Sequence, residues 1–359
     1  VNGANFRRRV PDVRLAPIDD IARAYRSVLK KGYQKKHLFY GDTKGEASLR
    51  EETTTFLKET RGLNITADNV MITRGSMMAI YLIANTILKA GDKVAVAELG
   101  YGSGNLIFQN AKAELVKLRL DTEGVDTAHL SEICEKQNIS LVYITPHHHY
   151  PTTVTMTAAR RLQLLDLART HGFCILEDDY DYDFHYSSSP ILPLASVDNS
   201  GHVVYIGSLC KTLSPAIRVG YIVAPSDLIE ELANLRRIVD RQGDNVLEAA
   251  LALLFNDGTI RRHLKKSLKT YHKRRDVFCE ILQNQIGNAL NFTIPKGGMA
   301  VWAQFDPSVS VANLSEIVKE KGLIIANGVA HGVNAIRMGF ASQTETDIER
   351  GIDLLKKSV

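Results

Sequence analysis

Six short runs of aliphatic and β-branched residues punctuate the first two thirds of this sequence: NVMIT (69–73), KVAVAEL (93–99), LVYITP (141–146), FCILEDD (173–179), VVYIGSL (203–209) and GYIVAP (220–225). Each is short for a helix and too continuously apolar for a strand with one wet face, so each reads as a strand buried on both sides. Helix-length segments such as 76–89 and 157–171 lie between them, and neighbouring parallel strands need crossovers of that size. The expected fold class is therefore α/β, with a mostly parallel central sheet in a large domain. Past about residue 228 the rhythm changes. Helical stretches run through 228–285, FTIPKGGMAVWAQFD and AIRMGFA look like strands, and a last helix covers about 344–357. This is the pattern of a smaller C-terminal α+β domain, and the expected division is an N-terminal arm (1–38), a large domain (39–235) and a small domain (236–359).

Several classes of protein are disfavoured by composition. Among 359 residues, 44 basic and 40 acidic side chains leave a net charge of +4, too diffuse to signal nucleic-acid or membrane binding. Cys134, Cys174, Cys210 and Cys279 lack the short spacings of a metal site or redox pair and read as free thiols in a reducing compartment, so a cytoplasmic location is expected. The apolar stretch MMAIYLIANTIL (77–88) is too short to span a bilayer. The chain opens on Val1, not Met, which fits a piece of a longer protein.

Three segments carry chemistry, and all fall where strands end, the edge at which open α/β sheets bind ligands. In GSLCKTLSPAIRVGY (207–221), Lys211 and Arg218 sit in apolar surroundings, where a cation is costly unless something anionic or covalent meets it. EDDYDYDF (177–184) closes an apolar strand with three consecutive acids. By itself that segment fits a solvated loop or a Mg²⁺ site, although the chain has no Gly-Lys-Ser/Thr phosphate loop. TRGSMMA (73–79) runs from a strand through Gly75 and Ser76 into a helix, and the free amides of a helix start suit a phosphate. An aldehyde cofactor with a phosphate and a pyridinium ring needs these parts: a lysine, an acid for the ring nitrogen, and a cradle of amides and an arginine.

With these motifs in this order, from FYGDTKGEASLRE (39–51) through TPHHHYPTTVTM (145–156) to KGGMAVW (296–302) and AIRMGFAS (335–342), the chain resembles the fold type I pyridoxal-phosphate aminotransferases. Within them it is most similar to the aminotransferase-like domain of the MocR/GabR-type regulators of the GntR family. The resemblance implies the aspartate aminotransferase-like fold and the cofactor pyridoxal 5'-phosphate. It implies that Lys211 holds the cofactor as an aldimine and serves as the base, and that Asp178, not Asp179, meets the ring nitrogen. Tyr180 would bond the phenolic oxygen, and Tyr101 would stack on the ring. Gly75, Ser76, Met77, Ser208 and Arg218 would surround the phosphate. Tyr40 would reach the phosphate of a partner subunit, which makes the expected unit a homodimer with shared sites, and Arg337 would take the substrate carboxylate. Four positions depart from the pattern of ordinary aminotransferases: Tyr150, in YPTT (150–153), where an asparagine contacting the phenolic oxygen is usual and the MocR-like chains share an aromatic, Thr153 where a glycine is usual, Met77 where a polar residue is usual, and Cys210 in place of a serine.

Two function classes follow. The first is an effector-sensing and dimerising domain of a transcriptional regulator, which meets DNA only through an N-terminal domain outside this chain. The second is a freestanding aminotransferase moving an amino group between an amino acid and a 2-oxo acid, with another amino-acid transformation by the same chemistry as a weaker third. No metal is expected: HHH (147–149) has no second cluster at ligand spacing, and one of these histidines is expected at the mouth of the active site. The basic segment RRHLKKSLKTYHKRR (261–275) reads as the wet face of a long helix, with a dock for DNA or a linked domain as the alternative.

Overall fold

Alternation within the apolar runs decides which layer each side chain joins. The computed structural model describes residues 4–7, 10–30, 36–186, 190–326 and 332–359. Its strands are β1 (Val70–Thr73), β2 (Lys93–Ala97), β3 (Glu114–Leu118), the short ribbon β4 (Leu120–Asp121) and β5 (Gly124–Val125), then β6 (Leu141–Ile144), β7 (Cys174–Asp179), β8 (Val203–Ser208), β9 (Gly220–Val223), β10 (Leu290–Phe292), β11 (Ala300–Phe305) and β12 (Ala335–Gly339). The main sheet has seven strands in the order β1-β9-β8-β7-β6-β2-β3. From β3 to β8 the pairings are parallel, and β9 runs against both of its neighbours.

Val94 and Val96 with Leu141 and Tyr143 face one layer, formed by the helices Ser76–Ile87 and Ser226–Val239. Ala95 and Ala97 with Val142 and Ile144 face the other, where the helices Thr127–Cys134 and Ala158–His171 pack. Towards the β1 end that second face is covered instead by the helices Ala47–Arg61 and Asn245–Asn256. Covering both faces is what lets the strands be apolar throughout. Within the main sheet, the strand that the apolar runs do not include is β3: ELVKL places charges at Glu114 and Lys117, both exposed, as suits the sheet's edge.

A second, antiparallel sheet, β10-β11-β12, packs with the helices Thr259–Ile286, Val311–Glu320 and Glu345–Lys356. Ala4 and Phe6 are buried in this same core, and Asn5 bridges to Ile324. The basic segment 261–275 lies on the long helix, which buries His263, Ser267 and Tyr271 and turns Arg261 and Arg262 outward. No helix among the described residues is long and apolar enough to cross a membrane.

Candidate active site

The carboxyl ends of β6 and β7 open into a cavity lined by Ser76, Tyr101, Tyr143, Thr145, Tyr150, Asp178, Tyr180, Lys211, Met299 and Arg337. Six residues expected from sequence meet here: Ser76, Tyr101, Asp178, Tyr180, Lys211 and Arg337. Strand geometry separates the consecutive acids. Asp178 lines the cavity and accepts a 2.8 Å hydrogen bond from the Tyr143 hydroxyl, whereas Asp179 accepts one of 2.7 Å from Tyr205. Burial pushes the Asp178 carboxyl up to about 7, against the opposing hydrogen bond from Tyr143, and burial likewise lifts Asp179 to about 6. Glu177, one residue earlier, is raised to about 7 by burial although the amides of Leu194 and Ala195 donate to it.

Lys211 follows Ser208, which caps the short helix Leu209–Thr212 by accepting from the Cys210 amide at 3.1 Å. Arg218 ends the following turn in the left-handed region, at φ 52°. Its guanidinium reaches back to donate to the Arg74 carbonyl at 2.8 Å and lies 3.6 Å from the Cys210 sulfur. Gly75 makes this approach possible: it precedes the helix Ser76–Ile87 with φ 79°, and a Cβ there would lie 2.9 Å from an Arg218 nitrogen. Ser76, Gly75 and Arg218 therefore converge at one helix start, with Ser208 on the adjoining β8. Met77, in the next position, accepts a weak 3.3 Å contact from the Tyr101 hydroxyl through its sulfur.

Arg337 comes from β12, opposite Trp302 on β11, and buries its guanidinium 5.6 Å from the Tyr150 ring. Its Nε–H has no hydrogen-bond partner among the described residues. The Tyr180 hydroxyl donates to the His148 carbonyl at 2.7 Å. Tyr40 is not brought into the cavity; it is 78% exposed, with the Arg241 guanidinium stacked on its ring at 4.2 Å.

Tyr150, at the place of the family's asparagine, also lines the cavity, as do Tyr143, Thr145 and Met299, to which the sequence reading gave no role. Tyr143 could have been found from the LVYITP run, since its ring leaves the strand just before the strand end. Met299 lies in the motif KGGMAVW, which by itself assigns it no role; the packing of the second sheet brings it into the cavity. The run 147–149 is also placed differently from expectation: all three histidines are buried, and none lines this cavity. Burial holds His147 well below the usual imidazole range and His149 at about 4.

Thr153, at the place where a glycine was expected, has φ 61°. That is a left-handed conformation, unfavourable for a β-branched residue. Its amide donates to the His149 carbonyl at 2.7 Å.

A doubly covered, mainly parallel sheet with a lysine, a buried acid and an arginine facing one cavity defines an aspartate aminotransferase-like, fold type I protein. Residues 9–355 match the family model for aminotransferase class I and II, and the chain belongs to that family. It is 31% identical over 318 residues to the uncharacterized HTH-type transcriptional regulator YdfD of Bacillus subtilis, an alignment covering 87% of this chain and 65% of that protein. Thus the chain spans somewhat under two thirds of that regulator's length. It is 29% identical to aromatic-amino-acid aminotransferase 1 of Thermococcus litoralis, over 96% of this chain and 84% of that one. Among solved structures, the multiple substrate aminotransferase from Thermococcus profundus superposes with a TM-score of 0.93 at 26% identity, covering 100% of this chain and 91% of that chain.

The chain is a pyridoxal-phosphate aminotransferase-like domain. Its own residues fit the cofactor. Asp178 Oδ1 is buried without a hydrogen-bond partner among the described residues, facing the cavity with an acceptor to spare. An N–H on a pyridine ring would answer it, and the amide and guanidinium donors around Gly75 and Arg218 suit a phosphate.

Proposed function

We propose that this cavity holds pyridoxal phosphate together with an α-amino acid or related amine, and that the chain is the effector-sensing, dimerising part of a MocR-type regulator of the GntR family. One observation carries the ligand reading: Arg337, a buried cation with an N–H to spare, faces the same cavity as Lys211 and Asp178. A carboxylate held by Arg337 points the rest of a small amino acid towards Lys211.

When bound, the cofactor would supply an aldehyde reactive towards amines and an electron-withdrawing ring. Lys211 would hold the cofactor through Nζ, and the same amine is the group placed to take and return a proton at the amino acid's α-carbon. Asp178, as a carboxylate, keeps the ring nitrogen protonated. The Tyr180 hydroxyl, which here donates to the His148 carbonyl, would turn to donate to the phenolic oxygen instead, and Tyr101 would cover the ring face. Gly75, Ser76, Met77, Ser208 and Arg218 would form the phosphate end, and Tyr40 would serve the phosphate of a second copy in a homodimer. The division at residues 39 and 236 into arm, cofactor domain and small domain belongs to the same proposal.

Support for the regulator reading comes from YdfD, from TauR of Rhodobacter capsulatus and from the rhizopine catabolism regulatory protein MocR of Rhizobium meliloti, the last 26% identical over 84% of this chain. Contact with DNA would belong to an N-terminal domain outside these residues. The alternative, a freestanding aminotransferase, is favoured by the presence of Lys211, Asp178 and Arg337 in one cavity and by the Thermococcus litoralis relative. The deciding experiment is a visible-absorbance titration of the cofactor-loaded protein with a panel of amino acids, with assay of 2-oxo acid product. A spectral change without 2-oxo acid supports the sensor. Stoichiometric 2-oxo acid, with recovery of the starting spectrum on adding a second 2-oxo acid, supports the aminotransferase. No spectral response to any amino acid or amine would overturn both readings.

A further inference from the structure

The three consecutive histidines have different commitments. His149 is used up: its Nδ1 lies 3.1 Å from the Thr145 hydroxyl and its Nε2 2.7 Å from the Leu99 carbonyl. His148 is half used, with Nδ1 2.8 Å from Asp181 Oδ1, and its buried Nε2 has no hydrogen-bond partner among the described residues. His147 is buried with neither ring nitrogen partnered among those residues. A neutral imidazole carries one N–H and one lone pair, and His147 satisfies neither among the described residues.

A third ring arrives from elsewhere in the chain. His185, in the segment that follows β7, stands with its ring centroid 5.4 Å from that of His147 and 6.2 Å from that of His148. One ring nitrogen from each of the three histidines can be chosen so that all lie within 4.8 Å of one another.

We propose that His147, His148 and His185 form a binding site for one divalent transition-metal ion of the zinc class, beside the cofactor cavity and independent of what that cavity binds. Three imidazoles suit zinc, copper or nickel over magnesium or calcium. Around a tetrahedral ion with metal–nitrogen bonds of about 2.05 Å the nitrogens stand roughly 3.3 Å apart, so a modest closing of the rings completes the site and leaves one position for water. Asp181 supplies the supporting contact such sites use, by accepting from Nδ1–H and so turning the lone pair of His148 onto Nε2. Gly297 keeps that nitrogen reachable, since a Cβ there would lie 2.2 Å from Nε2. The ion ties the segment after β6 to the segment after β7. It thereby fixes the His148 carbonyl that accepts from the Tyr180 hydroxyl, one of the residues lining the cofactor cavity.

The test is competition of the chelator-treated, cofactor-loaded protein with a chromogenic zinc indicator, using Zn²⁺ alone, followed by Co²⁺ absorption spectroscopy. The expected result is one Zn²⁺ per chain and visible Co²⁺ bands of a four- or five-coordinate nitrogen site. His185→Gln and His147→Asn should each weaken Zn²⁺ binding at least ~10-fold, and Asp181→Asn by roughly 10- to 100-fold. His185 is the least buried of the three, so H185Q decides the question should H147N fail to fold. No Zn²⁺ bound at concentrations up to the indicator's limit would overturn the proposal. So would a site whose affinity is the same in H185Q and the unmodified protein, since the ion would then sit elsewhere.

Discussion

The Tyr143 hydroxyl and the Asp178 carboxylate form a 2.8 Å hydrogen bond across adjacent parallel strands, and that bond uses one carboxylate oxygen while the other faces the cavity. Because burial raises the Asp178 carboxyl to about 7 from 3.8, the folded, cofactor-free protein retains a proton that the unfolded chain loses in this interval. The contribution of this group to stability therefore falls as pH rises from about 4 to 7, by roughly 1.4 kcal/mol per pH unit of that window at most. Asp178→Asn removes the titration. Cofactor-free D178N should match the unmodified protein near pH 4 and exceed it at pH 8 by a few kcal/mol in urea denaturation, while holding the cofactor more weakly. A difference in stability that does not vary with pH would refute the assignment.

Lys211→Ala should abolish the visible band of cofactor that survives desalting. A band of unchanged position and intensity after removal of free cofactor would show that another group carries it.

For Arg337→Ala, weaker amino-acid binding with the cofactor retained is expected. Loss of a buried bidentate carboxylate contact corresponds to about 10- to 100-fold in affinity, from the roughly 1.5–3 kcal/mol typical of charged hydrogen bonds. Equal affinity in the two proteins, read from the amino-acid titration, would remove Arg337 from the site.

Gly75→Ala places a methyl group 2.9 Å from the Arg218 guanidinium at a φ of 79°. The variant should lose about 1–2 kcal/mol of stability from the backbone conformation and release pyridoxal phosphate faster, because Arg218 must move. Unchanged cofactor retention on dialysis would separate this turn from the phosphate.

The strained position points the other way. Thr153→Gly relieves a β-branched residue held at φ 61° and should stabilise the fold by a net of about 1 kcal/mol after the glycine's greater freedom in the unfolded chain is counted, read as a higher thermal midpoint. A lower midpoint would mean that the threonine side chain contributes more than its backbone costs.

The amino-acid sequence by itself determined the α/β class, the six apolar strands of the main sheet, and the residues Ser76, Tyr101, Asp178, Tyr180, Lys211 and Arg337 that meet in one cavity. The strands, Lys211, Asp178 and the turn at Ser76 were legible because continuous apolar runs leave a strand no wet face and charges at the ends of such runs are costly without a partner. Tyr101, Tyr180 and Arg337, by contrast, came from the resemblance to the family. Only the tertiary structure decided what depends on which strands become neighbours. The reversal of β9 between β8 and β1, the edge strand β3, the bond from Tyr143 to Asp178, the packing of Arg218 against Gly75 and the meeting of His185 with His147 and His148 all join residues distant in sequence. Parallel pairing passes through long crossovers, so strand order and register are fixed by burial of both sheet faces together, and no local run of residues encodes them.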